Sequence, residues 1–421
     1  MPHKDIVAHL FRHEYGKIIA VLTNKFGTAH LENIEDAVQD ALLKAMQIWA
    51  FKMTPDNPTA WILRVASNTL IDVLRKKSKH APFEHVTYRD AAATKPEEPA
   101  LESTISDDQL KMIFACCHPS ISREYQIILT LKLVGGFNNK EIAGALLKKE
   151  EAVAKAFTRA KKKLKVQLTT INIPVEMGLK SRLYVVLKII YLLFSEGYAT
   201  KSGAFIIKKD ICFEAIRLAL LLIKNKYCNQ PEVHALLALM CFHASRFDAR
   251  VDAQFQLVDL EHQDRSKYDR ELIAIGVEHF ELSARSDAFP SDYHLQAAIS
   301  YYHCIAPTYR DTQWKEILDL YDMQLRKVYS PVVALNRIIA YSKVAGPESA
   351  LAELKIFEKK RDFIETTLFY ATKAMLLAHL NDRENAIAAL DKAIRLCGNQ
   401  MEKAHLIKKK NRMETSVSSV E

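Results

Sequence analysis

"EIAGALLKKEEAVAKAFTRAKKKLK", residues Glu141–Lys165, interleaves lysines and one arginine with an apolar series. Val153, Phe157, Ala160 and Leu164 recur at i, i+4, i+7 and i+11, which is one stripe along a helix. Lys155, Thr158, Arg159 and Lys162 then fall on the opposite side. A shorter helix, "NKEIAGALL", precedes it, with Asn138 or Asn139 as N-cap and the small Ala143 inside, and the segment "LLKKEE" joins the two. Two helices so arranged form a helix-turn-helix. The first crosses a phosphate backbone, and the second enters the major groove, where Arg and Lys pair with guanine edges or phosphates. A basic run by itself also suits a plain solvated face, and Leu147 stands where the generic turn carries glycine. The rest of the chain has to decide.

Charge supports a polyanion partner. The formal net charge is +9, and Ser120–Val166 alone carries eleven Lys/Arg against four Glu. A chain of 421 residues with 49% hydrophobic content can bury more than one core, and with only 11 Gly and 13 Pro it favours helix nearly throughout. The expected fold class is all-α. Seven cysteines, at 116, 117, 212, 228, 241, 304 and 397, form an odd set with no repeating spacing, and no signal peptide is read ahead of them. That usage fits a reducing cytoplasm. The longest apolar runs, such as "ALLLI" and "HALLALM", fall far short of the about 20 residues a membrane span requires.

The N-terminal block carries a second polar face. In "NPTAWILRVASNTLIDVLRKKSK", Arg64, Asn68, Asp72 and Arg75 share one side of a helix, and Leu63, Ala66, Leu70 and Leu74 form the stripe opposite. Exposed guanidinium, amide and carboxylate groups over a buried stripe suit contact with bases and backbone. Trp61, at the helix start after Asn57-Pro58, can stack on an opened base or pack in the core. Just upstream, "NIEDAVQDALLKAMQIW" sets Ile34, Val38, Ala41, Ala45 and Ile48 on one face and leaves Asp36, Gln39 and Asp40 exposed. An acidic patch repels phosphate, so it points to a protein partner, or to ordinary helix-start charge.

Composition marks the divisions. The expected order is a helical module over 1–80, a linker rich in Pro, Glu, Ala and Thr over 81–106, and the helix-turn-helix module over 107–170. A large helical domain over 171–410 and a tail over 411–421 complete it. Within the large domain, "AGPESALAELKIF" and "LNDRENAIAALDKAI" superpose at a shift of 36 residues, Ala350 on Ala386 and Leu354 on Leu390. That is the second-helix pattern of a tetratricopeptide unit, so a repeat-like array or a plain bundle is expected.

An enzyme would need a constellation, and none emerges. Cys116, Cys117 and His118 lack the spacing that lets two thiolates meet one zinc. Glu196 in "FSEGY" and the run "EHQDRSKYDRE" read as charged helix ends or ion pairs. There is no P-loop and no Gly-rich dinucleotide fingerprint. The expectation is a protein that is not an enzyme and needs neither cofactor nor metal.

The two N-terminal modules, "EDAVQDALLKAMQIW…NPTAWILRVASNTLIDVLRKK" and "LKLVGGFNNKEIAGALLKKEEAVAKAFTRAKKKLK", resemble in order and separation the two domains of an extracytoplasmic-function sigma factor. "DDQLKMIFACCHPSIS", "YLLFSEGY", "EVHALLALMCFHASRFDAR", "LEHQDRSKYDRELI", "LQAAISYYHCIA" and "SPVVALNR" extend the resemblance to the subfamily with a long, tetratricopeptide-like C-terminal domain. The resemblance implies binding to core RNA polymerase and promoter DNA. By it, Asp36, Gln39 and Asp40 face the clamp helices of the large polymerase subunit. Trp61, Arg64, Asn68, Asp72 and Arg75 capture the melted minus-ten element. Lys155, Arg159 and Lys162 lie at the minus-thirty-five element, with Lys161 to Lys165 on phosphates. Related domains often carry Arg where this chain has Ala156. The C-terminal domain is implied to regulate or support the core. Residues 171–421 carry 34 Lys/Arg and 31 Asp/Glu, so a protein partner is expected there rather than DNA. The competing reading is a helical-repeat scaffold with a helix-turn-helix DNA-binding module.

Overall fold

Apolar stripes at helical spacing close into helices along the whole chain. The computed structural model describes residues 2–49, 55–78, 98–146, 148–168, 171–173, 177–198, 209–254, 256–285, 290–359 and 363–415. Among these no strand forms, and Val251 and Leu257 meet only as an isolated bridge. Two compact units result, Met1–Leu193 and Phe194–Glu421.

The first unit opens with α1 (Pro2–Phe26), α2 (Leu31–Trp49) and α3 (Pro58–Ser78). Ile18, Ile19 and Leu22 of α1, Ile34, Val38, Ala41 and Ala45 of α2, and Ile62, Ala66, Leu70 and Leu74 of α3 are buried. Ile62 takes the inward place expected of Leu63, because it lies four and eight residues before Ala66 and Leu70. On α2 the buried stripe ends at Ala45, and Ile48 is 40% exposed.

Next comes α4 (Glu98–Cys116), with Pro99 in its first turn, so residues 98–106 of the expected linker are helical and 81–97 lie outside the described residues. Asn24 of α1 donates to Asp108 of α4 at 2.8 Å. Then α5 (Arg123–Leu129) runs into one π turn, Thr130–Val134, which ends where Gly135 N–H reaches the Thr130 carbonyl at 3.0 Å and Gly136 adopts φ +68. Here α1 and the π turn meet backbone to backbone. A Cβ added to Gly16 would stand 2.0 Å from the Val134 carbonyl oxygen, so only glycine fits.

The unit continues with α6 (Asn139–Leu146), α7 (Glu150–Gln167) and α8 (Met177–Tyr198), whose last residues, from Phe194, belong to the second unit. Asn138 caps α6 reciprocally: its Oδ1 accepts from Glu141 N–H at 2.8 Å, and Glu141 Oε2 accepts from Asn138 N–H at 2.8 Å. Leu147, in the turn between α6 and α7, lies outside the described residues.

The second unit comprises α9 (Lys209–Lys224), α10 (Pro231–Ala244), α11 (Arg270–Ser283), α12 (Asp292–Ile305), α13 (Trp314–Lys327), α14 (Pro331–Ala345), α15 (Pro347–Glu358), α16 (Thr367–His379), α17 (Arg383–Leu396) and α18 (Gln400–Thr415). A helix apolar on every side has to be buried, and in α10 Val233 and Ala235 through Phe242 are each 0% exposed, with α9, α11 and α12 packed around it. From α13 on, each helix packs against the next, as in a repeat array. The two aligned pairs are alike in burial: Ala350 and Leu354 of α15 are 0% and 1% exposed, Ala386 and Leu390 of α17 are 0% and 2%. Of the tail, 411–415 complete α18 and 416–421 lie outside the described residues. No described helix is long and apolar enough to cross a membrane.

Candidate nucleic-acid interface

The start of α3 is fixed locally. Asn57 Oδ1 accepts from Ala60 N–H at 2.9 Å and Pro58 takes the first helical position. From that start, 100° per residue brings Arg64, Asn68, Asp72 and Arg75 onto one exposed face. Trp61 is half-buried, its ring centroid 5.5 Å from that of Trp49. It is thus a rim aromatic, neither sealed in the core nor standing alone.

On α2, Asp36, Gln39 and Asp40 are exposed. Leu43 and Met46, 57% and 51% exposed, continue that face at the same helical spacing. The acidic patch therefore grades into apolar surface, a combination suited to a protein rather than to phosphate. Sequence reading passed over these two residues. Their phase with Asp36 and Gln39 was the available signal.

On α7, Val153, Phe157, Ala160 and Leu164 are buried, and Lys155, Arg159 and Lys162 are exposed. Ala156 is only 9% exposed, so position 156 belongs to the inner side and offers no side chain to a groove. Lys161 departs from the rest of the basic row. It follows Phe157 by one turn, at the margin of the apolar stripe, and its ammonium lies 4.7 Å above the Phe157 ring. Its Nζ reaches Glu35 Oε2 of α2 at 2.5 Å, with the two side chains 16% and 8% exposed. The second Glu35 oxygen accepts from the Tyr15 hydroxyl at 3.3 Å. Burial first, then the Glu35 charge, pushes the Tyr15 hydroxyl well above its ordinary pKa. In this arrangement the Lys161 ammonium is held by Glu35 of α2.

Elsewhere the chemistry is quiet. All seven cysteines are free and buried, and burial pushes the Cys117 thiol up to about 12. Among the described residues no group of three His, Cys, Asp or Glu side chains is placed to hold a metal ion.

Comparison with known proteins bears out the order of the two N-terminal modules. Residues 10–80 match sigma-70 region 2, residues 111–164 match sigma-70 region 4, and residues 182–284 match a family of unknown function, DUF6596. An uncharacterized protein of Rhizobium meliloti is 33% identical over 90% of this chain and 89% of its own length. The RNA polymerase sigma factor YlaC of Bacillus subtilis is 25% identical over 40% of this chain and 95% of its own length. No solved structure matches the chain. Two sigma-70 regions in the expected order, each presenting an exposed polar helix face, place the chain in the sigma-70 family, as an extracytoplasmic-function-type sigma factor with a helical C-terminal extension that binds core RNA polymerase and directs promoter-specific transcription initiation.

Proposed function

We propose that the exposed rows of α3 and α7 are the two promoter-reading surfaces of this sigma factor and that the outer face of α2 docks on core polymerase. The observation that carries the proposal is that each row stands directly opposite a fully buried apolar stripe, so that packing commits each helix to present it. Arg64, Asn68, Asp72 and Arg75, with Trp61 at the rim, engage the melted minus-ten element. Stacking of an opened base on an aromatic ring contributes about 1–3 kcal/mol per base. Lys155, Arg159 and Lys162 engage the minus-thirty-five element. Lys161 joins the phosphate contacts once Glu35 releases it. Asp36, Gln39 and Asp40, extended by Leu43 and Met46, meet the polymerase clamp.

In this assignment residues 1–80 bind polymerase and the minus-ten element, 107–170 bind the minus-thirty-five element, and 171–410 regulate or support them through a protein partner. The nearly balanced charge of residues 171–421, 34 Lys/Arg and 31 Asp/Glu, supports a protein-facing surface there. Seven reduced, buried thiols suit the cytoplasm, and the protein acts without catalytic chemistry of its own.

The test is reconstitution: the full chain is mixed with core polymerase, and both complex formation and promoter-dependent transcripts are measured. Folded protein that fails to bind core polymerase would overturn the assignment of α2.

A further inference from the structure

Three arginines and two histidines gather in the second unit where, among the described residues, no carboxylate pairs with them. His243 lies in the last turn of α10, Arg246 and Arg250 flank the 3-10 turn Phe247–Ala249 that follows, Arg265 stands in a 3-10 turn ahead of α11, and His303 lies in the last turn of α12. Arg246, 9% exposed, gives its Nε–H to Gln263 Oε1 at 3.2 Å. Arg250 donates from Nη1 to the Tyr198 carbonyl at 3.3 Å and lies 3.7 Å from the centre of the Tyr198 ring. Arg265 donates from Nη1 to the His303 carbonyl at 2.5 Å. Among the described residues none of the three forms an ion pair.

The histidines register the resulting field. Burial first, then the guanidinium groups of Arg246 and Arg250, hold His243 down to about 3. His303 is held at about 3 by burial and then by Arg246 and Arg265. Both imidazoles are therefore neutral at pH 7. The Nδ1 atoms of both, together with Nη2 of Arg265, are buried without a hydrogen-bond partner. Buried polar atoms are otherwise almost always satisfied, so three in one cluster demand an explanation.

Helix ends account for part of it. The C-termini of α8, α10 and α12 each attract a cation, but a helix end carries only about half a charge, and three guanidinium groups exceed what three ends neutralise. Nor do those ends satisfy the two Nδ1 atoms or the Arg265 Nη2. One compact acceptor placed among them would do both. The arginine fork matches the oxygen spacing of carboxylate and phosphate, and neutral imidazoles supply further donors without adding charge.

We propose that Arg246, Arg250 and Arg265, with His243 and His303, form a binding site for a small oxyanion, the carboxylate or phosphoryl group of a metabolite-sized ligand. Arg250, Arg265, His243, His303 and Tyr198 are half-buried, so the cluster reaches solvent at its edge, whereas the depth of Arg246 excludes a nucleic-acid backbone. The site is argued from the second unit alone and stands independently of the promoter surfaces.

Titration calorimetry on the full chain tests it, with sodium phosphate and with sodium succinate as probes at ionic strength fixed by sodium chloride. Saturable one-to-one binding of at least one probe is expected, weakened about tenfold or more in Arg246→Gln, since a charge-assisted bidentate pair is lost. Phosphate alone binding assigns a phosphoryl ligand, and succinate alone assigns a carboxylate. Should Arg246→Gln lose its helical circular-dichroism signal, Arg265→Lys carries the same expectation, because it keeps the charge and loses the fork. Lys355→Gln, an exposed change on α15, keeps the wild-type Kd. Absence of saturable binding by folded wild type with either probe, or equal Kd values in wild type and a folded arginine variant, overturns the site.

Discussion

Lys161 of α7 and Glu35 of α2 hold each other at 2.5 Å across 126 residues of sequence, joining the helix that carries the basic row to the helix that carries the acidic one. Their side chains are 16% and 8% exposed, so solvent screens the pair little. Removing one partner strands a charge. Glu35→Ala should lower the stability of the first unit by about 3 kcal/mol, and Glu35→Leu combined with Lys161→Met should recover most of it, as buried pairs replaced by apolar residues usually do. Urea denaturation of the three variants measures this, and a Glu35→Ala curve coincident with wild type would mean that the contact contributes nothing.

The same pair sets a DNA-binding expectation. Glu35→Gln leaves Lys161 without its counter-ion and free to reach phosphate. The salt dependence of DNA binding should steepen by about 0.9 in log–log slope, the value for one added phosphate contact, and Lys161→Ala in that background should reverse it. Fluorescence anisotropy over a salt series reads the slope. Identical slopes would remove Lys161 from the DNA surface.

The two exposed rows should fail differently. Arg159→Ala is expected to reduce discrimination among minus-thirty-five sequences by about 1–3 kcal/mol, the usual effect of losing one bidentate base contact. Arg75→Ala should leave closed-complex affinity nearly intact and slow promoter melting, as followed by permanganate reactivity. If both variants only weaken binding evenly across sequences, neither side chain reads bases.

A structural control sits at the head of α6. Asn138 and Glu141 satisfy each other's backbone N–H groups, and Asn138→Ala should cost about 1 kcal/mol in the first unit, since capping residues contribute 0.5–2 kcal/mol, roughly. Arg159 stays exposed throughout, so DNA affinity should fall only in proportion to the unfolded fraction.

His243 and His303 predict a pH dependence of the second unit. Both are held at about 3 when folded and return to an ordinary imidazole value when unfolded. The unfolded chain therefore binds more protons below about pH 6.5, and stability falls as pH drops through that value. Between pH 7.5 and 5.5 each should cost about 1.4 kcal/mol, and His303→Asn should flatten the profile by about that amount. Denaturant midpoints at the two pH values test it. An unchanged profile in the variant would show that His303 is not held neutral.

Single-helix properties were legible in the sequence. The spacing of Arg64, Asn68, Asp72 and Arg75 requires only a continuous helix, and that of Ala350 and Ala386 only its repetition. Errors arose in phase: Ile62 and Leu63 are adjacent apolar residues, and nothing local decides which points inward. Lys161 was unreadable for another reason. Its neighbours Lys162 and Lys163 are exposed, and what distinguishes it is Glu35, which the fold supplies from another module. The arginine and histidine cluster was equally hidden, because it is assembled from the ends of three helices and two turns whose sequences separately look like ordinary charged helix ends.

The contact between Gly16 and the Val134 carbonyl bears on the making of hybrid sigma factors. Where two backbones touch with a hydrogen atom between them, no side chain exists to be trimmed, rotated or repacked, so the fit cannot be adjusted by degrees. A chimera that joins α1 to α3 of this chain with the helix-turn-helix half of a relative inherits an all-or-nothing condition. Unless the incoming half offers the same π turn to the glycine, the two halves cannot close on one another, however well their other surfaces agree.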